Sequence, residues 1–168
     1  MMESDTGQAR TSTAVAAGPA DEQALERARR RRSDLHGVLV ELESALAAPA
    51  SGRVTAWSLR VHEALVELGA AFERHIAVTE GPDGLFESVT SHAPRLAGTI
   101  DELTRQHRQI RQSVGDALDA VHRAADAAEP FSTSREAVLD LIEQLMRHRQ
   151  RGADLVYEAY AVDIGGGD

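Results

Sequence analysis

Four long stretches of this chain return an apolar residue every three or four positions, the spacing that lines one face of a helix. The first, from about Asp21 to Leu46, carries the stripe Leu35, Leu39, Leu42, Leu46 and stops before Ala47-Ala48-Pro49-Ala50-Ser51-Gly52. The second, from about Thr55 to Glu80, shows Val61, Leu65, Leu68, Phe72, His75 and Thr79 in alternating steps, and Gly81-Pro82-Asp83-Gly84 interrupts it. A short continuation over Leu85 to Val89 is expected. The third begins near Ser91, a helix cap with Pro94 in the first turn, and runs to about Ala128, where Glu129-Pro130 ends it. Its face reads Leu96, Ile100, Leu103, His107, Ile110, Val114, Ala117, Val121. The fourth starts after Ser132-Thr133-Ser134 and continues to about Val162, with Val138, Leu141, Leu145, His148, Gly152, Leu155, Ala159 and Val162 on its face. Four amphipathic helices with short connections predict an all-α fold, an up-down-up-down antiparallel four-helix bundle over residues 21–162. Residues 1–20 and 163–168 lack any period and are expected to be disordered tails.

Three slots in these apolar faces hold histidine, and a height argument brings the three together. Two residues of an antiparallel pair lie level when the turn falls midway between them. The midpoint of His75 and His107 is Ser91, and that of His107 and His148 is Ala127 to Ala128; both fall on predicted turns. Three imidazoles are therefore expected at one level of the interior. An unpaired polar group in a core costs about 1 to 3 kcal/mol, so the cluster calls for a partner, and a metal ion is a common one for neutral imidazole. His36 is the sole histidine of the first helix. Its midpoint with His75 lies near residue 55, past the centre of the Pro49 loop, a misplacement of about 15 Å at the helical rise, with Glu22 or Glu26 closer to the level of His75.

Composition narrows the chemistry. With no cysteine, disulfides, iron–sulfur clusters, thiolate zinc sites and covalently attached c-type haem are excluded, and any metal has nitrogen and oxygen ligands. A net charge of -9 argues against nucleic acid as a partner, and the basic run Arg29 to Arg32 reads as a solvated helix face. No apolar run reaches membrane-spanning length and the N-terminal residues lack the order of a signal peptide, so no membrane partner and a cytoplasmic location are expected. Alanine-rich helix surfaces leave a homodimer open. Among other motifs, the Glu-x-x-His pairs of ferritin-like di-iron proteins are missing, since Phe72, Thr104 and Leu145 stand three before the histidines. His62-Glu63-Ala64-Leu65-Val66 lacks the second histidine of a zinc-protease motif. Neither a nucleophile elbow nor a phosphate-binding loop precedes a helix. His62, His92 and His122 read as solvated or flanking residues, and Tyr157 and Tyr160 as surface tyrosines or, less simply, as phenolate donors.

The ordered set His36, His75, His107, His148, together with Phe72-Glu73-Arg74-His75 leading to Thr79-Glu80 and Leu85-Phe86, resembles the hemerythrin-like (HHE cation-binding) family over residues 21 to 160. In that family one histidine comes from each of the four helices, with a glutamate four residues after the second and a Glu or Asp just downstream of the fourth. The resemblance implies a bundle holding one or two non-haem iron ions through His36, His75, His107 and His148, with a small gas or peroxide as ligand. The chain departs from the pattern at both carboxylates. Thr79 stands four after His75 and Gly152 four after His148, and the nearest substitutes are Glu80 and Asp154. On a regular helix these sit about 140° and about 120° around from their histidines, so they reach the same ion only through a bulge or unwinding.

Three readings follow. One is an iron-binding hemerythrin-like protein that binds or senses dioxygen, nitric oxide or peroxide, or stores metal, with catalysis in the strict sense not indicated. Another is a metal-free bundle acting as an interaction or regulatory module around a degenerate site. The last is a pH-responsive bundle titrating through buried histidines.

Overall fold

A computed structural model describes residues 18–128 and 130–160. Helix α1 spans Pro19–Ala47, α2 Val54–Glu80, α3 Leu85–His92, α4 Ala97–Ala125 and α5 Phe131–Tyr160, with one 3-10 turn over Pro94–Leu96. The four long helices pack in a ring, α1 on α2, α2 on α4, α4 on α5, with α5 returning to α1, while short α3 lies against α1, α2 and α5. This is the expected four-helix bundle, and no strand occurs among the described residues. No helix among them is long and apolar enough to cross a membrane. The expected tails fall largely outside the described residues, as do Val162 and Glu129.

Helix ends follow local chemistry. Pro19 opens α1 at a position where its missing N–H breaks no helical bond, and Asp21 accepts from the Gly18 amide at 2.9 Å. The expected start of the third helix at Ser91 is corrected. Ser91 belongs to α3, Ala93 is pushed out of the helical region (φ -133°, ψ 69°) by the ring of Pro94, and α4 begins only at Ala97. At its far end, α4 closes with Ala127 in the left-handed region (φ 55°), the Ala128 amide reaching the Arg123 carbonyl at 2.8 Å and the Ala127 amide that of Ala124 at 3.2 Å.

The interior divides into two apolar clusters. The larger joins the α1 stripe Leu35 to Leu46 with Trp57, Leu65, Phe72, Ile110, Val121, Leu141 and Leu145. At its base, Trp57 donates from Nε1 to the Leu46 carbonyl at 3.3 Å and meets Phe131 edge-on at 4.6 Å. The smaller cluster gathers Ala28, Leu85, Phe86, Val89, Leu96, Leu103 and Leu155 around α3. Between the two, along α4 from Ile110 to Leu103 and along α5 from Leu145 to Leu155, sits the layer that holds His107 and His148.

A polar knot fixes α3 over that layer. The Ser88 hydroxyl donates to Asp21 Oδ1 at 2.8 Å and lies 2.5 Å from the Tyr160 hydroxyl, while His92 Nε2 lies 3.3 Å from Asp21 Oδ2. The knot ties the first turn of α1, the middle of α3 and the last turn of α5 together. His92 and Tyr160 are thus half-buried structural partners, whereas Tyr157 is exposed.

Candidate metal centre

His75 on α2, His107 on α4 and His148 on α5 are all buried and all point to one spot. His148 Nε2 lies 3.2 Å from His75 Nε2 and 3.2 Å from His107 Nε2. The three donor nitrogens fall within 4.8 Å of one another. Aromatic rings close around them. Phe72 stacks on His75 (5.8 Å between centroids) and presents its edge to His107 and His148, and Phe86 from α3 stacks on His107 at 5.8 Å. The larger core lies below this collar and α3 above it, so bulk water is kept from the inner nitrogens.

The outer nitrogens decide what the inner ones present. His107 Nδ1 lies 2.5 Å from Glu80 Oε1, and a carboxylate only accepts, so that nitrogen carries the proton. His148 Nδ1 faces Gln106 Oε1 at 3.2 Å, and the Gln106 amide is oriented by its own donation to Glu102 Oε1 at 3.0 Å. His148 therefore also carries its proton outside. In the neutral rings both inner Nε2 atoms are then bare lone pairs facing each other at hydrogen-bond distance with no proton between them. Burial keeps the rings neutral. It pushes His75 down to about 3, with the nearness of His107 and the Arg32 charge adding, and His148 down to about 3, with the nearness of His107 and His75 adding. Burial also lowers His107, although Glu80 pulls the other way. His75 Nδ1 is buried with no partner.

Converging lone pairs are repulsive without a cation and attractive around one. Two nitrogens bound to one ion at about 2.1 Å and about 100° apart stand about 3.2 Å from each other, the separation found at both His148 contacts. The donor set is three neutral imidazoles, which suits a borderline divalent metal and not calcium or magnesium. On chemistry and spacing the residues fit a transition-metal ion.

The remaining sequence candidates stand elsewhere. Glu80 does not turn inward beside His75; it crosses from α2 to α4 and orients His107 from outside, side chain one-third exposed. The wheel position that bars it from the ion shared with His75 aims it at the neighbouring helix. His36 does not join the cluster: it is exposed, one residue off the Leu35 stripe, and its Nδ1 accepts from Arg149 Nη1 at 3.1 Å. Asp154 is exposed as well and accepts from Gln150 at 2.8 Å on the outer face of α5, because no bulge occurs at Gly152 to rotate it inward. Thr79 turns its hydroxyl back to the His75 and Ile76 carbonyls. Gln144 accepts from Ser113 and not from a ring of the cluster.

Missed by the sequence reading is what α1 places at this level. Ala28, Arg32 and Leu35 line a cavity of about 20 Å³ shared with His75, Thr79, His148 and Arg149. Arg32 is the residue three before Leu35 on the same stripe, so the signal was there, concealed by an arginine in an apolar slot.

Glu80→Gln removes the charge that orients His107 while keeping the side chain's shape. Metal affinity, measured by competition with a chromophoric chelator, is expected to fall about tenfold, the lower end of the range for such supporting carboxylates. Unchanged affinity would show that Glu80 has no part in the centre.

Residues 34–160 match the family model described as the Hemerythrin HHE cation binding domain. No curated protein and no solved structure matched the chain.

Proposed function

The chain belongs to the hemerythrin HHE cation-binding domain family, and from that premise we propose that His75, His107 and His148 together hold one non-haem iron ion whose open positions take dioxygen, nitric oxide or peroxide. One observation carries the reading: two buried, neutral imidazoles, their outer protons committed to Glu80 and Gln106, present bare nitrogens to a common point that His75 also reaches. Bound there, iron supplies a redox-active Lewis acid with positions left over for a small molecule.

The protein's own residues do the rest. Glu80 and Gln106 lock two ring orientations, so little rotational freedom remains to be lost on metal uptake. Phe72 and Phe86 exclude bulk water and leave only the narrow cavity beside His75 and His148, so an incoming ligand must be small. No general acid or base outside the histidines lines that cavity among the described residues, which supports binding or sensing over catalysis.

Iron analysis of protein purified from iron-supplemented cells tests the reading. One iron per chain, with near-ultraviolet absorption that changes on exposure to dioxygen or nitric oxide, is the expected result. Background iron and no uptake of ferrous ion by the purified protein would leave a metal-free bundle.

A further inference from the structure

The closed wall around the histidines leaves an ion no way in. The cavity beside His75 and His148 measures about 20 Å³, room for one or two waters. Leu35, Leu85, Phe86, Leu103 and Leu155 make most of its lining apolar. A hydrated metal ion is larger than that, and apolar walls offer nothing to replace its water. For the histidines to be loaded in the folded protein, part of the wall must move.

One element of the wall is built differently from the rest. The four long helices run 27 to 30 residues, whereas α3 has 8 and gives way to non-helical backbone at both ends. On the α2 side Asp83 takes a left-handed conformation (φ 54°), and Gly84 sits where a Cβ would meet the Gly81 carbonyl at 2.5 Å. On the α4 side the break falls at Ala93 and Pro94. Between these turns α3 supplies Leu85 and Phe86 to the cavity and lays the Phe86 ring on His107.

Among the described residues, Ser88 and His92 make the only side-chain hydrogen bonds and ion pairs from α3 to another helix, and all of them go to Asp21 or Tyr160. The single Ser88 hydroxyl proton goes to Asp21 Oδ1 at 2.8 Å, so the Tyr160 hydroxyl donates to the Ser88 oxygen at 2.5 Å. Tyr160, Ser88 and Asp21 thus form one directed chain across α5, α3 and α1.

We propose that α3 is a lid over the metal centre and that the Tyr160–Ser88–Asp21 chain is its latch, setting how fast an ion enters and leaves rather than how tightly it binds. The latch is assigned from contacts within the protein; its effect on metal exchange rests on the function proposed above. Binding belongs to the closed form and passage to the open one. A weaker latch therefore raises entry and exit by the same factor and leaves their ratio unchanged.

Ser88→Ala and Tyr160→Phe test it, in metal-free protein first. Diethyl pyrocarbonate labels accessible imidazole, and the exposed His36, His62 and His122 serve as the reference on the same chain. Labelling of His75, His107 and His148 relative to them is mapped by peptide mass spectrometry. It is expected to rise about fivefold in Tyr160→Phe, the net worth of one hydrogen bond, and further in Ser88→Ala, which loses both links. Trp57, the sole tryptophan, lies in the other core cluster, and its emission is expected to stay that of the folded parent. In the second arm, ferrous ion is loaded without oxygen and passed to excess chromophoric chelator. Uptake and release are both expected to quicken by the factor seen in labelling, with affinity unchanged. Labelling of the buried histidines unchanged in both variants would overturn the lid. So would labelling that rises only together with exposure of Trp57, or iron affinity that falls while uptake stays at the parent rate, since either makes the knot a structural contact alone. Faster labelling in variants of a protein that takes up no iron would uphold the lid and refute the metal. Should Ser88→Ala fail to fold, Tyr160→Phe, which removes one hydroxyl from a half-buried ring, carries the test.

Discussion

His148→Ala is expected to weaken metal binding by more than about a hundredfold, beyond the 10- to 100-fold that losing a supporting residue brings. His148 is the pivot, since its Nε2 is 3.2 Å from each of the other two inner nitrogens, which lack such an approach to one another. Removing it leaves His75 and His107 as isolated donors on different helices. The companion variant is His148→Leu in metal-free protein. A leucine of similar size removes one polar ring from a layer bounded by Phe72 and Leu155, and Gln106, only partly buried, can turn its amide oxygen to water. That variant should melt at or above the parent temperature at neutral pH. Lost metal binding together with retained or raised stability marks a residue kept for its chemistry. A melting temperature well below the parent, with metal binding unaffected by His148→Ala, would mean that the ring is a structural polar contact.

Acid is expected to unfold the metal-free protein by several kcal/mol more than the metal-loaded one. His75 and His148 are held down to about 3 by burial, against an ordinary value of 6.5. Between those limits the unfolded chain takes up protons that the native chain refuses, so stability is full above pH 6.5 and is lost as pH falls toward 3. Each histidine contributes a loss of about 1.4 kcal/mol per pH unit in that window, or about 2 kcal/mol apiece by pH 5. Denaturant melts of metal-free protein at pH 7.5 and pH 5 measure it. A bound ion opposes the loss by keeping the nitrogens occupied, and the loaded protein should hold its stability until protons displace the metal. Equal stability of metal-free protein at both pH values would show that the rings are solvated in the native state.

The bundle and its three-histidine layer were legible in the sequence because both rest on period. Each of His75, His107 and His148 occupies a slot counted from leucines and valines of its own helix, and the turn midpoints set their level without knowledge of any contact. Relations between helices were not legible. Glu80 and His107 meet across the α2–α4 seam, and a wheel drawn for α2 alone shows Glu80 merely as off-axis from His75. Gln106 reaches His148 for the same reason, one residue before a core position and leaning to the adjacent helix. On α1 the stripe itself ran on from Leu35 to Arg32 and Ala28, but a search for a fourth histidine favoured His36, about 100° away on the helix surface. The split between α3 and α4 turned on Pro94, whose restriction of Ala93 outweighed the helix-starting character of Ser91.

A layer of small polar rings separating two oily cores makes a seam of low cohesion. The end carrying α3 rests on the lesser core and on the Asp21–Ser88–Tyr160 knot. Its amides are therefore expected to exchange with solvent before those of the Trp57 end. Opening of that end would give a route to the histidines without global unfolding, and an ion held by them would tie α2, α4 and α5 together across the seam.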